Sequence, residues 1–267
     1  MQAKWPKTGD KILKNEAAQI DYSNINEGYI IAWVYDADPQ KKFKIRLEEG
    51  GRAQNFSAHP AHKEIYIPMV FGTGIYRIAI LRQVSGSQYK QVLSLTEPVK
   101  LISALSPWLH PTAYCEYFPD SKCVQVAADI CRLELTDFDC LKKITSWVID
   151  NLEYDHALAA VVNDDKTSFW IPEPDAVLAK KKGICWECAS LTAAMLRSQG
   201  VPAKIVVGWV GAAYHAWNEV YLTTDGFLEP GCYLRKGAWA LLDLTTADVS
   251  GSFKVPSGVS YKVDYYG

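Results

Sequence analysis

The stretch KGICWECASLTAAMLRSQGVPAKIVVG, residues 182–208, decides the fold of the second half of this chain. It predicts a loop, then a helix that begins almost at Cys185, then a buried strand. Apolar or small residues mark the core-facing side of the helix at the i, i+3, i+4, i+7 and i+8 positions, which are Cys188, Leu191, Thr192, Met195 and Leu196. Gly200 is the expected C-terminal cap and Pro202 cannot continue a helix, so we expect the helix to end near Gln199.

Cys185 is thereby predicted to lie in the first turn of this helix. Backbone N–H groups there have no partner inside the helix, and together with the helix dipole they favour a thiolate over a thiol. The lysine run at 180–182 is most simply a solvated helix end, and a positive potential that holds the thiolate is the alternative. A sulfur in this position is a candidate nucleophile if the chain also supplies a base.

Two later segments supply a base and an acid. Residues 214–221, YHAWNEVY, alternate as in a strand, which places on one face His215, Trp217, Glu219 and Tyr221. Residues 239–245, WALLDLT, predict a further strand in which Asp243 is the only charged residue. Because an unpaired buried carboxylate is very costly, Asp243 needs a partner, and a histidine on a neighbouring strand is the obvious one. Cys185, His215 and Asp243 would then act as nucleophile, base and orienting acid.

Three segments resemble the catalytic motifs of the transglutaminase-like superfamily of papain-like cysteine enzymes: GICWECASLTAAMLRSQGVPAK, YHAWNEVY and W-x3-D-x-T. Upstream, CLKKITSWVIDNLEYD resembles the helix with a Tyr-Asp pair that opens such domains, and FWIPEPDAVLAKKKG resembles the segment before their nucleophile. The resemblance extends from about Pro107 to the C-terminus. By it, Cys185 matches the nucleophile, His215 the base and Asp243 the orienting acid. One departure is Leu244, where the family commonly has proline.

The resemblance implies an α+β papain-like catalytic domain, which we place at residues 113–267, and bacterial members are often described as inferred cysteine proteases. It also implies that a side chain upstream of the nucleophile, tryptophan in some members, helps the cysteine backbone N–H to stabilise an oxyanion. Trp170 and Trp186 are the candidates for the oxyanion site or the cleft wall, although aromatic packing is the simpler role for Trp170. Glu219 lies too far along its strand to orient His215, and we expect a salt bridge there instead.

Residues 21–101 predict an all-β domain. Turn signals such as Ser85-Gly86-Ser87 separate short β-rich runs, which cover residues 29–35, 43–47, 64–70, 75–84 and 89–101. The last two runs predict a hairpin. Five or more strands at this spacing indicate an immunoglobulin-like β-sandwich, which we assign to residues 1–105 with roughly the first 20 irregular. Its binding partner is left open between the substrate and a cell-surface or polymer ligand.

The segment 106–112, SPWLHPT, is predicted to be a linker. Its two prolines favour a stiff, extended crossing over a helix or a sheet interior. Beyond it we expect helices at 121–131 and 136–152, the second capped by Thr136. Residues 157–182 contain one short helical candidate, 175–181, in an otherwise long loop of the kind that often lines a site.

The chain contains seven cysteines. Without Cys185 six remain, which is compatible with three disulfides in a secreted protein, but reduced and partly buried thiols are the favoured interpretation. The C-x-x-C pair Cys185 and Cys188 also matches a dithiol redox site, and a tetrahedral zinc site could be built from Cys185, Cys188, His215 and Cys232. Neither alternative uses Asp243, and Cys188 is better explained as a core residue.

Composition and charge set the remaining bounds. The chain has 267 residues and a formal net charge of -2, which is typical of a globular protein and argues against a nucleic-acid-binding surface. It has no apolar run long enough for a membrane span and no signal-peptide core at its start. We therefore expect a cytoplasmic protein, or a secreted or cell-surface one if a leader was removed. No D-x-D-x-D-G calcium loop is present, and we expect neither a metal nor another cofactor.

The expected function is cysteine-dependent acyl transfer. The Cys185 thiolate would attack an amide carbonyl, His215 would protonate the leaving amine, and the thioester would pass its acyl group to water. On family grounds we favour hydrolysis of peptide or related amide bonds, with a peptide or protein as substrate. A transglutaminase, in which an amine accepts the acyl group, would use the same triad. A catalytically silent binding or adhesion module is the alternative from another class.

Overall fold

The computed structural model describes residues 5–61, 64–133, 136–164, 170–229, 232–245 and 260–267. The chain divides into two units. The N-terminal unit consists of Pro6–Ala113, and the C-terminal unit consists of Tyr114–Gly267 together with Met1–Trp5. Among the helices of the described ranges, none combines the length and apolar character that a membrane crossing requires.

The N-terminal unit is built from two four-stranded antiparallel sheets. One sheet has the order β1-β2-β3-β6, with strands β1 Ile12–Lys14, β2 Ala18–Asp21, β3 Tyr29–Val34 and β6 Ile65–Pro68. The other has the order β5-β4-β7-β8, with strands β4 Phe43–Glu49, β5 Arg52–Ala58, β7 Gly74–Ser85 and β8 Gln88–Val99. The predicted hairpin is confirmed as the β7–β8 pair, whereas β1, β2 and β5 were not predicted as strands. Alternate residues Phe43, Ile45 and Leu47 of β4 are buried, as a strand with one face toward the core requires.

The extended conformation that we predicted across residues 106–112 is wrong at its start. Ser106–Trp108 forms a turn of 3-10 helix, and all three of its residues are buried. Proline fixes φ near the helical value and lacks an N–H that the first turn of a helix would leave without a partner. Pro107 therefore suits the start of a short helix as well as an extended linker, and burial decides between them.

The C-terminal unit contains five α-helices in its described part, which are α1 Lys122–Cys131, α2 Asp137–Asn151, α3 His156–Asp164, α4 Pro174–Lys180 and α5 Cys185–Ser198. The expected helices at 121–131, 136–152 and 175–181 correspond to α1, α2 and α4. Thr136 caps α2 as predicted, because its hydroxyl accepts a hydrogen bond from the Asp139 N–H. The α3 helix was not predicted. It is capped by Asp155, whose carboxylate accepts from the Leu158 N–H at 3.0 Å.

The strands of this unit form a four-stranded antiparallel sheet and two smaller pairs. The main sheet has the order β15-β12-β11-β16, with strands β11 Ala203–Val210, β12 Ala213–Tyr221, β15 Trp239–Leu242 and β16 Tyr261–Tyr266. The small pairs are the parallel β9 Glu153–Tyr154 with β10 Lys182–Gly183, and the hairpin β13 Gly226–Glu229 with β14 Cys232–Leu234. Glycine at 208 lets β16 lie close to β11, because a Cβ there would be 2.0 Å from the Lys262 carbonyl oxygen.

Helix α5 lies at the centre of the C-terminal unit, in contact with α1, α2 and α4 and with β11 and β12. Every residue of it after Cys185 is buried, so the predicted apolar stripe describes only part of the surface that α5 covers. Two hydrogen bonds join α5 to the surrounding chain. Asn218 of β12 donates to the Ala189 carbonyl at 3.0 Å, and the Ser190 hydroxyl donates to the Tyr114 carbonyl at 2.8 Å. These contacts fix the start of α5 relative to the sheet.

Candidate active site

The site is built around the first turn of α5. The helix begins at Cys185, as the sequence predicted, and Cys185 is partly exposed. Buried Glu187 holds this turn, since its carboxylate accepts from the Ile184 N–H at 3.1 Å and pairs with the Lys180 ammonium at 2.7 Å. An acidic side chain at this point suits the positive end of the helix dipole. Lys180 is thus engaged with Glu187, and its ion pair fastens α4 to the start of α5.

His215 lies on β12, and 16% of its side chain is exposed. The ring Nε2 is 2.8 Å from Asp243 Oδ2. The side chain of Cys185 is close enough to the same ring to raise the pKa of His215. Because Nε2 faces the carboxylate, Nδ1 is the nitrogen available to the sulfur. The structure therefore brings together the three side chains that the sequence analysis singled out.

Asp243 lies one residue beyond β15, and our prediction that the strand would run through it to residue 245 is wrong. The carboxylate is almost fully buried and accepts hydrogen bonds from several directions. Thr245 Oγ1 donates to Oδ1 at 2.9 Å, and Tyr261 Oη donates to Oδ2 at 3.1 Å. A chain that leaves the strand at Leu242 frees the carboxylate to point along the sheet toward His215. The predicted pairing of the acid with the histidine is nevertheless observed.

The pKa of His215 responds to these neighbours. Burial by itself would lower the pKa, but hydrogen bonds to Asp243 and Cys185 and the negative charges of both raise it from 6.5 to about 10. Two aromatic rings enclose the imidazole region: Trp217 stacks on His215 at 6.4 Å between ring centroids, and Tyr261 meets Trp217 edge-on at 4.9 Å. The arrangement favours an imidazolium ion beside the sulfur.

Tyr154 was not singled out in the sequence analysis as a site residue, although it belongs to the Tyr-Asp pair of the family resemblance. The parallel pairing of β9 with β10 sets Tyr154 opposite Gly183, two residues before Cys185. The backbone amide of Cys185 is close enough to the Tyr154 hydroxyl to lower its pKa. Burial, and then the charges of Cys185, Cys188 and Asp243, raise the pKa of Tyr154 to about 12, so it keeps its proton at neutral pH.

The two predicted tryptophans have different surroundings. The Trp186 indole N–H donates to the Trp170 backbone carbonyl at 3.2 Å, and the Trp186 ring packs against Tyr114 at 5.2 Å between centroids. Trp186 is thus a buried packing residue whose indole N–H is bonded to the chain. For Trp170 the observed hydrogen bond uses its carbonyl, and a role for its indole at an oxyanion stays a prediction.

Two cavities flank Tyr154. The smaller, of about 20 Å³, is lined by Val148, Ile149, Leu152, Glu153, Tyr154, Cys188, Leu244 and Thr245. The larger, of about 480 Å³, is open to solvent and is lined by residues 149–154 with His156 and Lys181. Tyr154 is therefore one of the residues that line both cavities.

The cysteines differ in oxidation state. Cys131 at the end of α1 and Cys140 in α2 form a disulfide, so the favoured expectation of six reduced thiols is wrong for this pair. The cysteines that form no disulfide are Cys115, Cys123, Cys185, Cys188 and Cys232. Within the described ranges, no group of three or more His, Cys, Asp or Glu side chains could hold a metal ion, and the zinc set considered above is not assembled.

The expected salt bridge of Glu219 is confirmed, with Lys204 at 2.8 Å.

A helix that carries a cysteine at its start and packs on an antiparallel sheet that carries the histidine defines a papain-like domain. Comparison with known families identifies it further: residues 124–243 match the transglutaminase-like superfamily. The matched range includes Cys185 and His215 and ends at Asp243. This segment of the chain, and not the chain as a whole, is therefore similar to the transglutaminase-like superfamily.

Solved structures give weaker similarities. An inferred cysteine protease from Cytophaga hutchinsonii is 17% identical over 89% of this chain and 70% of that one, with a TM-score of 0.40. A structure described as a TGase is 21% identical over 51% of this chain and 33% of that one, with a TM-score of 0.36. Red sea bream transglutaminase is 15% identical over 81% and 48%, with a TM-score of 0.27. At these TM-scores none of the similarities carries an argument about function. A search of curated proteins found no match.

The raised pKa of His215 predicts a titration that depends on Asp243. We expect the wild-type imidazole to keep its proton through neutral pH in an NMR titration of its ring nitrogens. Asp243→Asn removes the negative charge and should lower the titration midpoint by at least about one pH unit. Protonation of His215 stabilises the folded state. This contribution is fully present below pH 6.5, the ordinary pKa of histidine, and is lost as the pH rises toward 10. Glu219→Gln, on the same strand, is the control and should leave the midpoint unchanged; equal midpoints in all three proteins would contradict the assignment.

Proposed function

We propose that the protein is a cysteine-dependent acyl-transfer enzyme that hydrolyses peptide or related amide bonds through a thioester intermediate. Cys185 is the nucleophile, His215 the general acid and base, and Asp243 the residue that orients the imidazole. One observation carries the proposal: Cys185 at the start of α5 interacts with His215, and the His215 Nε2 is 2.8 Å from the buried Asp243 carboxylate.

The proposed reaction has two halves. In the first, the Cys185 thiolate attacks the carbonyl carbon and the His215 imidazolium gives its proton to the leaving amine, which leaves a thioester. In the second, His215 takes a proton from water, the hydroxide attacks the thioester, and the acid departs from the regenerated thiolate. Asp243 keeps the imidazole in the tautomer and orientation that both halves need.

For the oxyanion we propose the backbone N–H of Cys185 and the hydroxyl of Tyr154. The two groups are in contact with each other, and the Tyr154 hydroxyl keeps its proton at neutral pH. A carbonyl oxygen that enters between them would receive two donors, a geometry that stabilises developing negative charge. Trp170 stays the alternative donor, and the hydrogen bond that Trp170 makes in the structure uses its backbone carbonyl.

For the N-terminal unit we propose the immunoglobulin-like class of sandwich. The support is its strand order. The sheet β5-β4-β7-β8 has the order that the C′, C, F and G strands of such domains adopt, and β2-β3-β6 has the order of the A, B and E strands.

A peptide-library digest tests the proposed reaction and separates its outcomes. We expect new C-terminal carboxylates in the mass spectra, and we expect Cys185→Ala to reduce their rate of formation by at least about 10⁴-fold, as loss of a nucleophile does. Cys232→Ala, which removes a partly exposed thiol elsewhere in the unit, should retain activity. A parallel digest contains a labelled primary amine: label on the products would favour a transglutaminase. If the wild-type protein forms products no faster than Cys185→Ala does in both digests, the result would contradict acyl transfer.

Substitution of Tyr154 tests the oxyanion assignment. Tyr154→Phe keeps the ring and removes the hydroxyl, so we expect kcat to fall by about 10- to 1000-fold with a smaller change in KM. Trp170→Phe is the comparison variant and should reduce kcat less. If Trp170→Phe has the larger effect on kcat, the indole and not the phenol supplies the donor.

A further inference from the structure

The first turn of α5 carries a second thiol. Cys185 is the first residue of the helix and Cys188 is the fourth, and neither forms a disulfide in the structure. Residues three apart on an α-helix have Cα atoms about 5 Å apart, given a radius of about 2.3 Å and a rise of about 1.5 Å per residue. Disulfides bridge Cα separations of roughly 4.4–6.8 Å. The pair is therefore within bonding range without movement of the helix axis.

The two thiols differ in exposure. Cys185 is partly exposed, whereas 6% of Cys188 is exposed. Cys188 lines the cavity of about 20 Å³ that Tyr154 and Thr245 also line. In a reversible dithiol pair, one thiol is accessible and the second is shielded one turn along the helix. Cys185 and Cys188 have this arrangement.

Three other cysteines outside the disulfide have different surroundings. Cys115 is fully buried and hydrogen-bonds the Ser190 carbonyl, and burial raises the pKa of its thiol to about 11. Burial likewise raises the pKa of the Cys123 thiol well above its ordinary value. Cys232 lies on β14, in the hairpin outside the main sheet. Cys188 is the thiol that the fold itself holds one turn from Cys185.

We propose that Cys185 and Cys188 form a redox modification site in which a peroxide converts the active thiolate into a reversible intrahelical disulfide. The Cys185 sulfur attacks the peroxide, the O–O bond breaks, and the sulfur becomes a sulfenic acid while hydroxide or alkoxide leaves. The Cys188 thiol then attacks that sulfur, the S–O bond breaks, and water leaves as the disulfide forms. Two cysteines lose two electrons and the peroxide gains them. An external thiol reverses the reaction.

The disulfide has two consequences. It withdraws the proposed nucleophile, so acyl transfer stops while the bond persists. It also protects Cys185 from further oxidation to sulfinic and sulfonic acids, which ordinary thiols do not reduce. The modification requires a reactive Cys185 and is independent of whether the acyl group passes to water or to an amine.

Mass spectrometry tests the proposal without an activity assay. The full chain is treated with hydrogen peroxide and digested without reduction. We expect a peptide that has lost two hydrogens and contains both Cys185 and Cys188, and we expect dithiothreitol to restore labelling of Cys185 by iodoacetamide. In Cys188→Ala the sulfenic acid has no resolving partner, so oxidation should continue and the labelling recovered by dithiothreitol should fall to less than about a tenth of the wild-type value.

Two further variants control the experiment. Cys188→Ser nearly preserves the size of the buried side chain and should behave as Cys188→Ala does, which covers any loss of folding in the smaller substitution. Cys232→Ala should form the disulfide and recover as the wild type does. Irreversible oxidation of wild-type Cys185, or a disulfide that joins Cys185 to a cysteine other than Cys188, would overturn the proposal. A Cys185 that forms this disulfide but hydrolyses no peptide would contradict only the proposed function.

Discussion

The buried carboxylate of Asp243 is the constraint on which the site depends. A charge with 5% exposure is costly unless hydrogen bonds and an opposite charge compensate it. Its partners come from different parts of the unit: His215 from β12, Thr245 from the segment after β15, and Tyr261 from β16. The carboxylate and the imidazolium stabilise each other, and the order of the sheet brings their strands together. A substitution that moves β12 away from β15 would therefore change the charge state of His215, even if Cys185, His215 and Asp243 themselves were unchanged.

The second requirement is a fixed start for α5. Backbone N–H groups at the first turn are useful to an oxyanion only if they hold one orientation. Glu187 ties the Ile184 amide to the helix and its ion pair with Lys180 connects α4, while β9 and β10 set Tyr154 beside Cys185. The short elements α4, β9 and β10 thus determine the positions of the two proposed oxyanion donors, the Cys185 N–H and the Tyr154 hydroxyl. The same rigid turn holds Cys188 one turn from Cys185, which connects the proposed chemistry to its proposed regulation.

Much of this arrangement could be predicted from local sequence. Periodicity, a glycine stop and a proline located α5 and the position of Cys185 in it, and alternation located His215 on its strand. Long-range contacts could not be predicted in the same way. Tyr261 and Asp243 lie on separate segments, and no local pattern indicates that a phenol from β16 reaches the carboxylate. Burial decided the conformation of Ser106–Trp108, and a side-chain cap at Asp155 decided α3; both depend on tertiary surroundings that a window of sequence does not contain. The disulfide between Cys131 and Cys140 likewise follows from how α1 and α2 pack.

We propose that His215 activates the Cys185 sulfur as a nucleophile. Alkylation by iodoacetamide at mildly acid pH, with the site of modification mapped by mass spectrometry, tests this proposal most directly. We expect Cys185 to be labelled fast and selectively in the wild-type protein, well ahead of the partly exposed Cys232, and we expect His215→Ala to abolish the difference. Labelling of Cys185 no faster than that of Cys232 in the wild type, or a rate that His215→Ala leaves unchanged, would contradict it.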